Sequence, residues 1–573
     1  MIDIGIFKGE IPRISNKLLP DGYASSVINC DLDEGNLQPI KGTTSIQSVD
    51  VGAETIYRLG EQWLQWNNKI DIIESLVYNS GGRIVITGDN YPKETNIALA
   101  ISGAPYPSAT RKLGVGAPSG ALTAAVQVAG SGTNRSIAYC YTRVGLWDDD
   151  TVVESAPSPA SNILTTPDDG TIRLTGFVDS SETGVYTTHY RVYRVNTGET
   201  SSEYQYVGEF LKTTDPLQYD DEVTDDDLGE VLPTTGWTVP IDNLKGITKG
   251  SNGVAFAFDG NTVYVSESFI GYTFPTAYTI SVASEIVGLG FNGYALIVLT
   301  KNSYHLIYGT DPESLSLETK TFELPCESRR SIVSVPAGII FASSTGLYLI
   351  DSGGISTNIT EGIFTKKDWK ALGPSNIFAF FYNDSYVAFW DGTTRGIEFK
   401  PGINEIRRFQ TDENVFGGQY VSTVGNNSYD LLTSASKNFL TAEGYQFVVS
   451  GASYSLTYDA LYLIQKTATA REIVSWDSGS LTDYTYETKE YYTPVSQVFS
   501  AGLISGDFTD GNVVFRLYVD DTLIFTKTVS SDDIFRITQA RGNKFKITLT
   551  GKTTIDRVIV GSSVREVIRK YND

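Results

Sequence analysis

Apolar runs that each follow a tight turn begin at residues 254, 294, 339, 386 and 429, with separations of 40, 45, 47 and 43 residues. KGSNG leads into Val254–Asp259, FNG into Tyr294–Thr300 and SVPAG into Ile339–Ser343; FFYNDS leads into Tyr386–Trp390 and VGNNS into Tyr429–Thr433. Most are followed by a second turn and a third run: DGN then TVYVSE, KN then SYHLIYG, STG then LYLID, DGTT then RGIEF. A period in the forties with three or four short strands per unit predicts a β-propeller. One such sheet cannot bury both faces alone. Stacking sheets around an axis buries a continuous core and leaves only short edges. An earlier stretch, ETIYRLGEQWLQWNNKIDII with Gly82–Thr87, has the same rhythm and reads as a first blade, for about six in all.

One motif inside this pattern points elsewhere. Gly288-Leu-Gly-Phe-Asn-Gly293 spells G-x-G-x-x-G, which in a dinucleotide site turns a strand into a helix facing a pyrophosphate. Here Tyr294–Thr300 is rich in β-branched residues, so the expectation is a hairpin. Asn292-Gly293 is assigned to a type I′ turn, in which both central residues need positive φ. Gly551-Lys552-Thr553 ends like a phosphate loop, but Lys546 stands where the first glycine is required. It also reads as a turn.

The rest of the chain is strand text as well. The fold class expected is all-β: a β-propeller of about six blades, an inserted immunoglobulin- or fibronectin-like β-sandwich and a C-terminal β-sandwich. The boundaries are 1–53 for an N-terminal arm and docking segment, 54–114 for the first blade region and 115–240 for the insertion. The remaining blades take 241–450 and the last sandwich 451–573. The insertion opens with LGVGAPSGALTAAVQVAGSG, then carries SIAYCYTRV, TIRLTGF, THYRVYRVN and YQYVGEF. Two helices are expected: Thr365–Leu372, with Thr365 and Asp368 as a cap, and Asp21 to about Cys30.

Chemistry-bearing residues are sparse. Cys30, Cys140 and Cys326 are far apart and odd in number, which suits neither a disulfide framework nor a zinc site. His189 and His305 are the only histidines and sit in strand text. Asp148–Asp150 and the run Asp220, Asp221, Glu222, Asp225, Asp226 and Asp227 are candidate oxygen ligands for calcium, yet lack the glycine-punctuated spacing of a calcium loop. Many carboxylates exist, but no pair is singled out for glycoside hydrolysis and the Asp-box of sialidase propellers is missing. No catalytic, cofactor or metal residue is therefore assigned, no cofactor is expected, and the chain is expected not to be an enzyme. The formal net charge of −23 disfavours a protein that grips DNA, while permitting one past which DNA slides. No run is long enough to span a membrane, and MIDIGIFKGEIPR lacks a secretory pattern, which predicts folding in a cytoplasm.

The text itself resembles a known family. Pro12-Arg13, Leu18-Leu-Pro20, Asn29-Cys30 and Leu37-x-Pro39-x-x-Gly42 carry the likeness at the N-terminus, and it resumes at ESAPSPAS (154–161) and THYRVYRVNTG. It is strongest in GNTVYVSE, IVGLGFNGYALIVLTKNSYHLIYGTDPES, LPCESRRSIV and ITEGIFTKKDW. These segments resemble the β-propeller tail nozzle, or tail tubular, proteins of short-tailed bacteriophages. The resemblance implies a virion tail protein, assembled in the host bacterial cytoplasm. It implies a self-associated ring, a homohexamer, below the tail adaptor and portal complex. Tail fibres or tailspikes would be attached to it, and genome DNA would pass through its lumen without specific binding. The alternative is a receptor- or glycan-binding propeller on the virion surface.

Overall fold

The computed structural model describes residues 1–77, 80–196, 203–320, 322–422, 439–440, 446–447, 459–467 and 470–572. The repeat beginning at Tyr429 lies outside them. The protein is all-β; among the described residues the α-helices are Ile97–Ala100, Lys366–Leu372 and Val564–Asn572. The chain divides into two compact units, Leu59–Ser344 with Tyr348–Thr357, and Met1–Arg58 with Thr345–Leu347 and Asn358–Asp573.

The first of these units holds successive four-stranded antiparallel meanders. Strands 71–74, 84–87, 93–95 and 111–112 form one, and 245–249, 255–259, 262–265 and 280–281 the next. A third uses 286–291, 295–300, 304–308 and 316–319, and a fourth 333–335, 338–343, 346–351 and 356–358, the unit division passing through its third strand. Period-two alternation explains how they stack. In Ala295–Thr300, Leu296 and Val298 pack with Phe256, Phe258 and Val263 of the preceding sheet. Ile297 and Leu299 face the other way and pack with Ile339, Phe341 and Ile350 of the following one. Likewise Ala255 and Ala257 meet Val85 and Leu113. Both faces are buried, so these strands are apolar throughout rather than alternating.

The G-x-G-x-x-G glycines find their reason here. A Cβ on Gly288 would lie 2.4 Å from Ile332 Cδ1, and one on Gly290 3.2 Å from Ile339 Cδ1. They permit close approach of the next sheet, and the motif is a hairpin as expected. The turn type differs. Asn292 pairs with Ala295, only Gly293 (φ 93°) has positive φ, and the loop is Gly293–Tyr294. Asn292, just past the end of strand 286–291, accepts the N–H groups of Tyr294 and Ala295 on Oδ1 at 3.0 and 2.8 Å, and glycine takes the first loop position, as in a II′ turn. The type I′ pattern occurs instead at Asn383–Asp384 and Asp520–Asp521, where both residues have positive φ.

Between 115 and 240 lie two further sheets. Strands 123–128, 171–175 and 218–221 form one, and 134–146, 152–154, 164–167, 189–196 and 205–211 the other. They share one apolar cluster that includes Tyr139, Tyr141, Leu174, Phe177 and Tyr190.

In the unit containing both chain termini, strands 377–382, 385–390, 393–399 and 407–421 form another meander. The 15-residue strand Arg407–Val421 serves two sets of partners. Its first part pairs with 393–399, its second with 460–466, which continues through 471–475 to the N-terminal strand Thr44–Val49. A separate core unites strands 484–488, 513–519 and 541–551 with a sheet of 2–4, 501–507, 535–536 and 554–561. Ile2–Ile4 and Tyr23–Ile28, within the 1–53 span expected to be an N-terminal arm and docking segment, are built into these C-terminal sheets. The helix expected from Asp21 to about Cys30 is accordingly absent; Tyr23–Ile28 is a strand paired with 484–488, where Ala24 and Val27 are buried. The expected first blade is also drawn differently, since 55–59 and 62–66 form a two-stranded sheet separate from 71–112.

Candidate functional site

The acidic runs are answered by arginines. Arg194, fully buried, places NH1 2.6 Å from Asp221 Oδ2 and NH2 2.9 Å from Asp225 Oδ1. The Tyr139 hydroxyl donates to the same Asp221 oxygen at 2.7 Å, and Val223 N–H to the other at 2.9 Å. Asp220 receives a two-pronged contact from Arg173 at 2.8 and 2.7 Å, and Asp149 lies 3.7 Å from Arg83. Arg135 also reaches Asp225. Oxygens engaged in this way are poor cation ligands, and among the described residues no three His, Cys, Asp or Glu side chains group as a metal site. The three cysteines are buried free thiols, and burial pushes Cys140 and Cys326 up to about 12. His189 Nδ1 lies 2.9 Å from Thr188 Oγ1, and burial holds His305 below the usual imidazole range. Arg194 draws Asp221 and Asp225 together, but among the described residues the candidate cysteines, histidines and carboxylates form no common metal site.

Two clusters not anticipated from sequence have more concentrated electrostatics. In the unit of residues 59–344, Glu94 is buried beside Arg83, Arg111 and Trp147. Burial raises its carboxyl to about 7, against the pull of the two guanidinium charges. Arg111 is itself held between aromatic faces, 3.9 Å from the Trp147 ring centre and 3.7 Å from that of Tyr186.

The other cluster, in the unit with the termini, surrounds a polar cavity of about 100 Å³. The N-terminal segment supplies Asp31 and Asp33, strand 393–399 Glu398, strand 407–421 Arg407, and the turn after 471–475 Asp477. Arg407 NH2 lies 2.6 Å from Asp33 Oδ1, while NH1 is 3.6 Å from Asp31 and 3.7 Å from Glu398. Burial raises Glu398 and outweighs the attraction of Arg407. Burial also raises Asp477, whose Oδ1 accepts the Lys41 N–H at 3.1 Å. Asp33 is opposed by some burial, but its Arg407 hydrogen bond and the charges of Arg407 and Lys400 hold it below the usual carboxylate range. One ionised and one protonation-prone carboxyl in a single cavity is a combination general acid–base chemistry uses. Here both sit on the same guanidinium, which ties segment 31–33 to strands 393–399 and 407–421. The sequence signal was slight: an Arg407-Arg408 pair inside strand text, and nothing distinctive at Glu398 or Asp477.

No family model and no curated protein matches the chain. Solved structures similar to it include the AfRom2 CNH domain, at 9% identity and TM-score 0.28, covering 76% of this chain and 98% of that one. The Pan2 WD40 domain of Neurospora crassa is similar at 7% identity and TM-score 0.25, covering 56% and 86%. An exo-beta-1,3-galactanase of Phanerochaete chrysosporium is similar at 8% identity and TM-score 0.20, covering 91% and 100%. The class is thus all-β with propeller-like neighbours, at likenesses too distant to support any argument about activity. The expectation that the chain is not an enzyme is corrected: a galactanase is among these structures, so non-enzymatic character is no longer assigned, and at this distance no activity is assigned in its place. The reason is general: one scaffold carries catalysts and non-catalysts alike, and a scarcity of motifs does not separate them.

Proposed function

We propose that this chain forms the tail nozzle ring of a short-tailed bacteriophage, extending the DNA-ejection channel below the portal and adaptor and anchoring fibres or tailspikes. The observation that carries this reading is the recurrence of four-stranded meanders in the register of the 40-to-47-residue repeat, within text that resembles nozzle proteins. In this proposal six meanders supply the blades of one propeller: those at 71–112, 245–281, 286–319, 333–358 and 377–421, and the one that Thr44–Val49 completes with 460–475. The two sheets of 115–240 form an inserted immunoglobulin- or fibronectin-like sandwich, and the last sheets a C-terminal sandwich. A net charge of −23 suits a lumen that lets a polyanion pass without holding it. Electron microscopy of the purified protein, alone and with a portal–adaptor complex, tests the reading. Sixfold rings are expected; a chain that stays monomeric under both conditions and is missing from virions overturns it.

A further inference from the structure

A second cavity in the unit with the termini, of about 320 Å³, has a different character. Its walls are Ile28, Phe364 and Leu372 at the end of helix 366–372, with Trp390 and Phe409 from neighbouring strands. The space exists partly because of Gly396. A Cβ there would lie 1.9 Å from Phe409 Cε2, so the Phe409 ring packs against bare backbone on its own sheet.

Charge at this cavity runs against that of the whole molecule. Arg395 is exposed, 5.7 Å from the Trp390 ring centre, and makes no ion pair among the described residues. The second lining cation, Arg408, is already matched: its Nε lies 2.9 Å from Glu10 Oε2. An apolar hollow of this size with one unmatched guanidinium fits the common form of a small-molecule site, an apolar enclosure with few placed polar groups. In a chain of net charge −23, that lone cation selects for an anion where the general surface repels one.

We propose that this cavity binds a small amphiphilic organic anion, an aromatic or branched apolar body seated against Trp390 and Phe409 with its carboxylate or sulfonate held at Arg395. The site does not depend on ring assembly or on any virion role. Fluorescence titration of the full-length protein tests it with two probes of similar shape, 1-anilinonaphthalene-8-sulfonate and the uncharged N-phenyl-1-naphthylamine. Each is expected to saturate at one site per chain. Arg395→Glu is expected to weaken the sulfonate probe about tenfold and to leave the uncharged one nearly unchanged, because reversing an exposed charge acts only on the charged end. Leu372→Trp, which fills the hollow from its rim, is expected to remove both, with melting followed by circular dichroism as the check on folding. If that variant melts early, the Arg395→Glu comparison decides alone. Failure of either probe to saturate, an equal response of both probes to Arg395→Glu, or sulfonate binding that survives in a folded Leu372→Trp protein overturns the proposal.

Discussion

Glu94 shows what burial does to a single side chain. With its carboxyl raised to about 7, the folded protein binds a proton here that the unfolded chain releases near the ordinary glutamate value of 4.5. The linkage sign follows: stability from this group is fully present below 4.5 and is lost as pH rises through about 7. Glu94→Gln removes that loss. Relative to the parent, the variant is expected to gain about 3 kcal/mol between pH 4.5 and 8, as read from urea unfolding midpoints at both ends. Parallel pH profiles for the two proteins would refute it. Arg194 and Asp221 teach the complementary lesson. From sequence the acidic stretch 220–227 offered calcium ligands; the fold instead gives Asp221 a buried guanidinium, a tyrosine hydroxyl and a backbone amide. Arginine partners 27 to 90 residues away are invisible to local spacing.

Elements were legible where the deciding interactions are local. Helix Lys366–Leu372 begins as expected: Thr365 Oγ1 accepts the Asp368 N–H at 3.1 Å, and Gly373 in the left-handed region (φ 75°) ends it. Thr365→Ala is expected to cost about 1 kcal/mol in thermal or urea unfolding, and Thr365→Ser to restore most of it. Equal stability of the alanine and serine variants would discount the cap. The helix Val564–Asn572 was overlooked, yet it carries a local signal. Ser563 Oγ accepts the Glu566 N–H, and Glu566 Oε2 accepts the N–H of Ser562, one residue earlier, a variant of the capping box written as Ser563-x-x-Glu566. Tyr23–Ile28 is the opposite case. Its sequence tolerates helix or strand, and pairing with residues more than 450 positions away selects strand.

For the molecule as a whole, net charge bears on the proposed assembly. With 67 acidic against 44 basic residues, like-charge repulsion opposes assembly. Raising ionic strength from about 0.01 to about 0.1 M shortens the screening length from about 30 to about 10 Å. If the proposed ring forms, its fraction in sedimentation velocity is therefore expected to rise over that range. A fall would refute repulsion as the controlling term and point to complementary charged faces in the proposed ring. Burial on both sides of Ala295–Thr300 belongs to this scale too, because a sheet with two apolar faces is stable only between neighbours.

The sequence by itself determined the all-β class, the forty-odd-residue recurrence, the 366–372 helix and the hairpin nature of the glycine motif. Each depends on side-chain periodicity, turn chemistry or caps spanning a few residues. Tertiary structure alone decided that the N-terminal strands complete C-terminal sheets, that Arg407 gathers Asp31, Asp33 and Glu398, and that Arg395, without an ion pair among the described residues, stands beside an apolar hollow. Those outcomes depend on which distant segments exclude water from one another, and no local pattern encodes that choice.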